Sequence, residues 1–326
     1  MKILITGSNG FIGRHLVSLC LSKGFYVTGF DIHSKQISPA HSYYDYISLD
    51  ILSDDFRPAL LECSPDVIFN LAANVDISSG SPSSFAVNYL PLVTLLDFSR
   101  SRNATLIHAS SMLVCHYGKV HNSRDFIDSP STVYGYSKII SEQLVFNYLD
   151  QYPRTDIRIA RLTTVWGYGM YGPISKLFNH PRFLFTCSSF KGYKTFSYVE
   201  NCCIDLLSLA FAKHLPTVSL IGDSEYLTTH QFIKKVRNGY QLAGFNKPFL
   251  INIPYFLLFF VAIISDLFPP AYRRFKFNSF HLRNYVLSNK VNPLLHASSP
   301  DPLSRDERVS FESAVVTTIN SYQHPL

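Results

Sequence analysis

The stretch that most constrains this chain is Thr6-Gly7-Ser8-Asn9-Gly10-Phe11-Ile12-Gly13. It follows Lys2-Ile3-Leu4-Ile5, which reads as a buried strand. It precedes Arg14–Leu21, whose apolar residues recur at helical spacing. A strand, a glycine-rich turn and a helix in that order are the context a dinucleotide-binding fingerprint requires. Gly7 suits the sharp turn. Gly10 removes a side chain where backbone must approach a pyrophosphate, and Gly13 allows helix and strand to pack closely. The N–H groups at the helix start then face the phosphates. Asn9, Phe11 and Ile12 share the turn and join the three glycines as candidate cofactor contacts.

A second strand, Phe25–Phe30, ends at Asp31, 18 residues after Gly13. A carboxylate there accepts hydrogen bonds from both adenosine ribose hydroxyls and repels a 2′-phosphate. The next residues, Ile32, His33 and Ser34, include no lysine or arginine, which favours NAD over NADP. The bland alternative is a solvated aspartate at a strand end.

Downstream, strands and helices alternate. Tyr46–Leu49 reads as a third strand, followed by Asp50 and Ile51 in a loop that would pass the adenine. Residues 56–63 read as a helix, and Asp66–Ala73 as a fourth strand. Its last residues, Leu71, Ala72 and Ala73, are small enough at their tips to leave room for a cofactor. A helix over 83–101, a fifth strand Thr105–Ala109 running into Ser110 and Ser111, a helix over 133–149 and a sixth strand Asp156–Arg161 follow. This rhythm predicts an α/β fold: a doubly wound parallel sheet of the Rossmann type. After Trp166 the pattern breaks into a stretch dense in Gly, Pro, Tyr and Phe. A helix over 201–213 and a strand Val218–Ile221 return to the sheet. Residues 1–165 therefore form the expected NAD-binding domain, its sheet completed by about 196–223. Residues 166–195 and 224–326, ending in a helix over 307–322, form a smaller, mixed substrate-binding region.

Composition enters where it excludes. The 326 residues are 47% hydrophobic and 16% charged, which rules out a disordered chain. The net charge of +6 shows no lysine/arginine block of the kind that binds nucleic acid. Cysteines 20, 63, 115, 187, 202 and 203 lack metal-site spacing, so no metal is expected and reduced thiols in a cytoplasmic protein are the simplest reading. The first residues belong to a core strand, so no signal peptide is expected. Ten apolar residues follow Pro254 before Ser265 and Asp266 intervene, whereas a bilayer span needs about 20. The segment is expected to be a buried helix or a dimer surface, without stable membrane insertion. Shallow membrane contact is the other reading, with Arg273, Arg274 and Lys276 nearby.

Tyr134 and Lys138 lie four apart in a predicted helix and therefore on one face. A phenol titrates near pH 10 in water, and an adjacent ammonium together with the positive nicotinamide of NAD⁺ would stabilise the phenolate. Tyr134 could then take a proton from an alcohol as hydride leaves its carbon, while Lys138 holds the nicotinamide ribose. The pair alone carries little, because Tyr272 and Lys276 repeat the spacing without chemical context. Placement after the fifth strand distinguishes Tyr134, as does Ser111, which could hold the same substrate oxygen.

Thr6-Gly7-x-x-Gly10-Phe11-Ile12-Gly13, Asp31, Asp50-Ile51, Leu71-Ala72-Ala73, Asn88, Ser110-Ser111, Tyr134-x-x-Ser137-Lys138, Arg161-x-x-x-Val165-Trp166-Gly167 and Phe196–Asn201 occur in that order. Together they resemble the extended short-chain dehydrogenase/reductase superfamily, and within it the nucleotide-sugar epimerase/dehydratase group. The likeness is good over about 1–215 and loose beyond. The resemblance implies that Ser111, Tyr134 and Lys138 are catalytic, that Ser110 backs the cofactor, and that Asn88 supports the site. The alternative for Asn88 is a residue that caps a loop. It further implies substrate contacts from Lys194, standing where the group often has an arginine on the diphosphate, and from Asn179, whose alternative is a plain helix-end asparagine. Asn70, Cys115 and Leu162 depart from the group's usual histidine, tyrosine and proline.

The residues after Ser111 bear on the reaction. Sugar 4,6-dehydratases of this group carry an Asp-Glu pair there; this chain has Met112 and Leu113, which disfavours dehydration. The resemblance then implies NAD-dependent C4 epimerisation of a nucleotide-activated sugar, most simply a UDP-sugar, through a transient 4-keto intermediate. The aromatic stretch 166–198 could supply a loose sugar pocket. The alternatives are a nucleotide-4-keto-sugar reductase, a hydroxysteroid-dehydrogenase-like oxidoreductase suggested by the apolar run, and a non-enzymatic NAD(P)-sensing protein. A homodimer built on the helices over 85–101 and 133–149 is the implied assembly.

Overall fold

The structure is a computed structural model that describes residues 1–76, 81–114, 132–189, 191–212, 216–223, 225–267 and 307–322. Cys115, Arg273, Arg274 and the Tyr272–Lys276 pair lie outside the described residues.

A strand buried on both faces reads as a near-continuous apolar run, and Ile3–Ile5, Val67–Phe69 and Leu106–Ile107 follow this. β1 (Lys2–Thr6), β2 (Tyr26–Asp31), β3 (Tyr44–Ser48), β4 (Val67–Asn70), β5 (Thr105–Ser111) and β6 (Ile157–Leu162) pair in parallel. β10 (Val218–Ile221) adds to β6, giving the order β10-β6-β5-β4-β1-β2-β3. Alternate residues of each strand enter two separate cores. Ile3, Ile5, Val27 and Phe69 pack on one face with α1 (Phe11–Ser22) and α5 (Val199–Phe211). Leu4, Phe30, Ile68 and Leu106 pack on the other with α2 (Phe56–Cys63), α3 (Leu92–Arg102) and α4 (Val133–Gln151). The doubly wound sheet is thus present, and its strand order reverses at β1 and β4, where such sheets bind ligands.

Several boundaries differ from expectation. The helix anticipated over 83–101 is broken: Pro82–Asn88 is a short 3₁₀ segment, and α3 begins only after Pro91, which occupies its N-cap. A proline has no N–H to continue a helix. The third strand starts earlier than predicted, at Tyr44, whose ring is buried.

The break after Trp166 is a change of sheet. β7 (Thr164–Trp166) and β9 (Tyr193–Tyr198) pair in parallel, and β11 (Tyr226–Thr228) joins β9 antiparallel. β8 (Phe183–Thr186) pairs with β12 (Phe249–Asn252). α6 (Thr229–Leu242) and α8 (Phe311–Ser321) pack over them. The aromatic residues expected to line a sugar pocket are largely core instead. Trp166 is fully buried, with Phe178 stacked on it at 5.4 Å and Tyr198, Phe232 and Phe311 within 5.5 Å between ring centres. The apolar run after Pro254 forms α7 (Tyr255–Asp266), but it is not a buried helix: only Ala262 and Ser265 are buried.

Candidate active site

Gly7 has φ +70, a backbone state that excludes most side chains. A methyl group on Gly13 would lie 2.1 Å from the Gly7 carbonyl oxygen, inside any real contact distance. The turn therefore presses directly on the start of α1. Gly10 occupies the N-cap with no side chain capping the helix, so the first turn keeps the free N–H donors that every helix start carries. The neighbouring loop is equally close: a methyl on Gly7 would touch the Ala72 backbone at 2.9 Å.

Asp31 ends β2 beside this turn and is buried. Its Oδ2 accepts the Asn9 N–H at 3.0 Å, and its Oδ1 meets the His33 ring at 2.6 Å and the His33 N–H at 3.2 Å. The Asn9 amide donates to the Lys35 carbonyl and to Tyr46, and accepts the Ile37 N–H. Asn9 thus ties the glycine turn to the loop after β2, a role its place in the motif does not reveal. His33 is a partner of Asp31 that the sequence reading overlooked. A carboxylate has about four acceptor sites; Asn9 and His33 take three, which leaves about one for a ribose hydroxyl unless the His33 contacts give way.

A buried hydrogen-bond chain runs beneath the crevice. The Ala72 N–H donates to Thr6 Oγ1, whose hydroxyl donates to Asn70 Oδ1 at 2.8 Å. Asn70 Nδ2 donates to His108 Nδ1, and His108 Nε2 donates to Ser141 Oγ at 2.9 Å. The Ser141 hydroxyl in turn donates to the Lys138 carbonyl oxygen. Burial, then the Lys138 charge, push the His108 pKa well below the ordinary value. The ring is neutral, as one donor and one acceptor nitrogen require. Asn70, which departs from the usual histidine, is here a link between the glycine-turn strand and the helix that carries Tyr134.

Ser111 ends β5, and α4 begins at Val133 with the Thr132 hydroxyl accepting the Gly135 N–H as its cap. The structure brings Tyr134 and Ser111 together. Burial raises the phenol's pKa, and the nearby Ser111 hydroxyl opposes the rise. Lys138, one turn on, is buried and donates to the Ala109 carbonyl at 2.8 Å. Burial lowers its pKa to about 8, against the pull of Glu142.

Glu142 extends the same helix face at the next turn. It is fully buried and receives Arg161 Nη2 at 2.7 Å and Nε at 3.0 Å, and the Ser110 hydroxyl as well. Arg161 is 1% exposed. Ser110 therefore spends its donor on Glu142. Glu142, Ser141 and His108 were not singled out from sequence. The available signal was their spacing from Tyr134 along α4, whose buried face is polar at Ser137, Lys138, Ser141 and Glu142.

The remaining candidates are scattered. Asn88 is buried and holds the loop after β4: its Oδ1 accepts the Asn74 N–H at 2.8 Å, and its Nδ2 donates to the Asn74 carbonyl and to Ser137 Oγ. These are the contacts of the loop-holding reading. Ile51 is 5% exposed and packs in the core, while Asp50 is exposed and accepts the Leu52 N–H. Leu71, Ala72 and Ala73 are half-buried at the mouth of the crevice. Lys194 lies on β9, with burial lowering its pKa to about 8. Asn179 is exposed, just past the short turn Ser175–Leu177 rather than at the end of an α-helix. Among the described residues no cluster of His, Cys, Asp and Glu could hold a metal.

The uncapped helix start, the side-chain-free glycine turn and the carboxylate at the end of β2 suit a dinucleotide at the strand-order reversal. Residues 3–180, more than half of the chain, match the NAD-dependent epimerase/dehydratase family. The chain belongs to that family. Its cofactor is NAD. Among curated relatives, Protein CapI of Staphylococcus aureus is 30% identical over 187 residues, covering 51% of this chain and 56% of that protein. A UDP-glucose 4-epimerase of Mycolicibacterium smegmatis is 29% identical over 185 residues, covering 53% and 57%. The chain thus aligns with little more than half the length of these relatives. The solved UDP-glucose 4-epimerase of Thermus thermophilus, in complex with NAD, shares the fold along the whole of both chains, with a TM-score of 0.72 at 20% identity. Membership of this family places the chain among proteins of the extended short-chain dehydrogenase/reductase type.

Proposed function

We propose that this enzyme epimerises a nucleotide-activated sugar at C4, with a UDP-sugar as substrate. The observation that carries the reading is the Ser111–Tyr134 pair, set one helical turn from buried Lys138 at the end of β5. The glycine turn, with Asp31, Asp50, Ile51, Leu71, Ala72, Ala73, Asn88, Ser110 and Lys138, would hold NAD. When bound, NAD takes up a hydride from the sugar carbon and later returns it. Tyr134 removes the hydroxyl proton as that carbon becomes a 4-keto centre and restores it after the sugar has turned over, and Ser111 holds the oxygen throughout. Met112 and Leu113 place no carboxylate after Ser111, which supports epimerisation over dehydration.

The second reading is a hydroxysteroid-dehydrogenase-like oxidoreductase: a sterol-4-alpha-carboxylate 3-dehydrogenase of Mus musculus is 23% identical over 286 residues, covering 82% of this chain and 75% of that protein. The substrate region over 166–195 and 224–326 would supply Lys194 and Asn179 to the diphosphate. Val93 on α3 and Tyr136 and Ile140 on α4 are exposed apolar residues, and they support a homodimer through those helices; a cytoplasmic location is part of the same proposal.

The test is incubation of the purified protein with a UDP-hexose and no added cofactor, followed by sugar-nucleotide chromatography. Interconversion of C4 epimers, with NAD released on denaturation, is the expected result. Turnover only with NADPH and a 4-keto sugar would assign the reductase reaction instead.

Lys194 gives this reading a pH signature. Its ammonium is present below about pH 8 and lost above it, and an adjacent diphosphate would raise that value again. UDP should bind about tenfold more weakly at pH 9 than at pH 7, with a proton taken up on binding at the higher pH. Calorimetry in buffers of different ionisation enthalpy measures both. Lys194→Met should bind weakly at either pH with no proton uptake; a retained pH dependence would remove Lys194 from the site.

A further inference from the structure

We propose that α7, with the outer face of the β8–β12 pair, is a surface that lies in the interface of an anionic membrane. A helix on the surface of a soluble fold buries its apolar stripe and shows a polar one. α7 does the reverse. The residues it turns inward are Ala262 and Ser265, while Phe256, Phe259, Phe260, Ile263, Ile264 and Leu267 are 42–76% exposed. At 100° per residue, the exposed apolar side chains sweep an arc of roughly 240°. No charged residue interrupts the helix before Asp266.

The adjoining sheet continues the surface. Phe183 and Phe185 on β8 and Phe249 on β12 are 42–65% exposed, with Phe183 and Phe249 in direct register. Arg182 packs its guanidinium over the Phe183 ring, at the rim of the apolar area.

Two observations select lipid as the occupant. A partner protein covers one side of a helix, whereas a solvent of acyl chains accommodates an apolar arc of this width. The charge is complementary as well. Between Asp266 and Asp301 the sequence carries five lysines and arginines and no carboxylate. Basic residues flanking an apolar element draw it to the negative surface of a bilayer. The geometry also fixes the mode. At 1.5 Å per residue, the twelve residues of α7 reach about 18 Å, short of the hydrocarbon thickness of about 30 Å. No helix among the described residues is long and apolar enough to cross. α7 would therefore lie in the interface, its aromatic residues among the headgroups, and hold the rest of the chain against the membrane face.

The experiment is flotation of the full chain with vesicles of phosphatidylcholine alone and of an equal mixture with phosphatidylglycerol, at low and high salt. Binding to the mixed vesicles, weakened by salt and by omission of the anionic lipid, is expected. The double variant Phe256→Asp, Phe260→Asp should lose at least tenfold in vesicle affinity while keeping the circular dichroism and melting of the parent. Absence of binding to either vesicle overturns the proposal, as does binding that the variant retains. Light scattering supplies the remaining outcome: a larger oligomer in lipid-free solution that the double variant dissolves would assign the surface to a second copy of this chain. The readouts do not depend on turnover, so failure of the epimerase reading leaves this test intact.

Discussion

Tyr134→Phe should lower turnover by about three orders of magnitude, within the range that a positioned general acid–base contributes, while NAD binding and thermal stability stay close to those of the parent. The argument rests on what one oxygen does. The ring packs against Phe85, with centroids 6.1 Å apart, and the change keeps that ring. The phenolic oxygen has Ser111 as its neighbour, so its loss leaves no buried charge unpaired. Burial alone drives the phenol's pKa upward, the wrong direction for a base near neutral pH. In the proposed reaction the positive charge that reverses this would come from Lys138 and from a bound nicotinamide, so a phenylalanine variant would retain the machinery around the proton and lose its carrier. Steady-state kinetics on the purified variant, with fluorescence titration of NAD, separates the two effects. Undiminished turnover would remove Tyr134 from the reaction.

Glu142→Ala should cost about 3–5 kcal/mol of stability, the range for breaking a buried ion pair from one side. Arg161 would keep its charge while itself only 1% exposed, with its hydrogen bonds to the carboxylate gone. Ser110 would lose its acceptor at the same time. The penalty belongs to the buried guanidinium charge that loses its counter-charge rather than to the absence of the pair. A double variant, Glu142→Leu with Arg161→Met, should therefore recover most of the loss, because well-packed apolar residues often replace a buried pair at little cost. Urea denaturation of parent, single and double variants measures both differences. A single variant as stable as the parent would show that the pair holds nothing together. Activity should fall in the single variant as well, since Glu142 ties the turn of α4 that follows Lys138 to the end of β6 through Arg161 and to the end of β5 through Ser110.

The features legible in the sequence are those whose cause is local. A positive φ at Gly7 and the lack of room at Gly13 follow from a tight turn meeting a helix, and spacing alone announces them. Apolar runs of four to six residues separated by helical periods specify the parallel sheet, because each strand is buried on both faces. The four-residue interval puts Tyr134 and Lys138 on one helix face in any fold. What the tertiary structure alone decided are pairings between residues far apart in the chain, for which spacing carries no signal. Glu142 neutralises Arg161 only because α4 lies over β5 and β6. Asn88 holds Asn74 and Ser137 because a proline broke the predicted helix and left a turn there. The aromatic residues from Trp166 to Tyr198 became core rather than pocket, and α7 turned its apolar side outward. Composition states how apolar a segment is; which way it faces depends on whether the rest of the fold leaves a surface for it to cover.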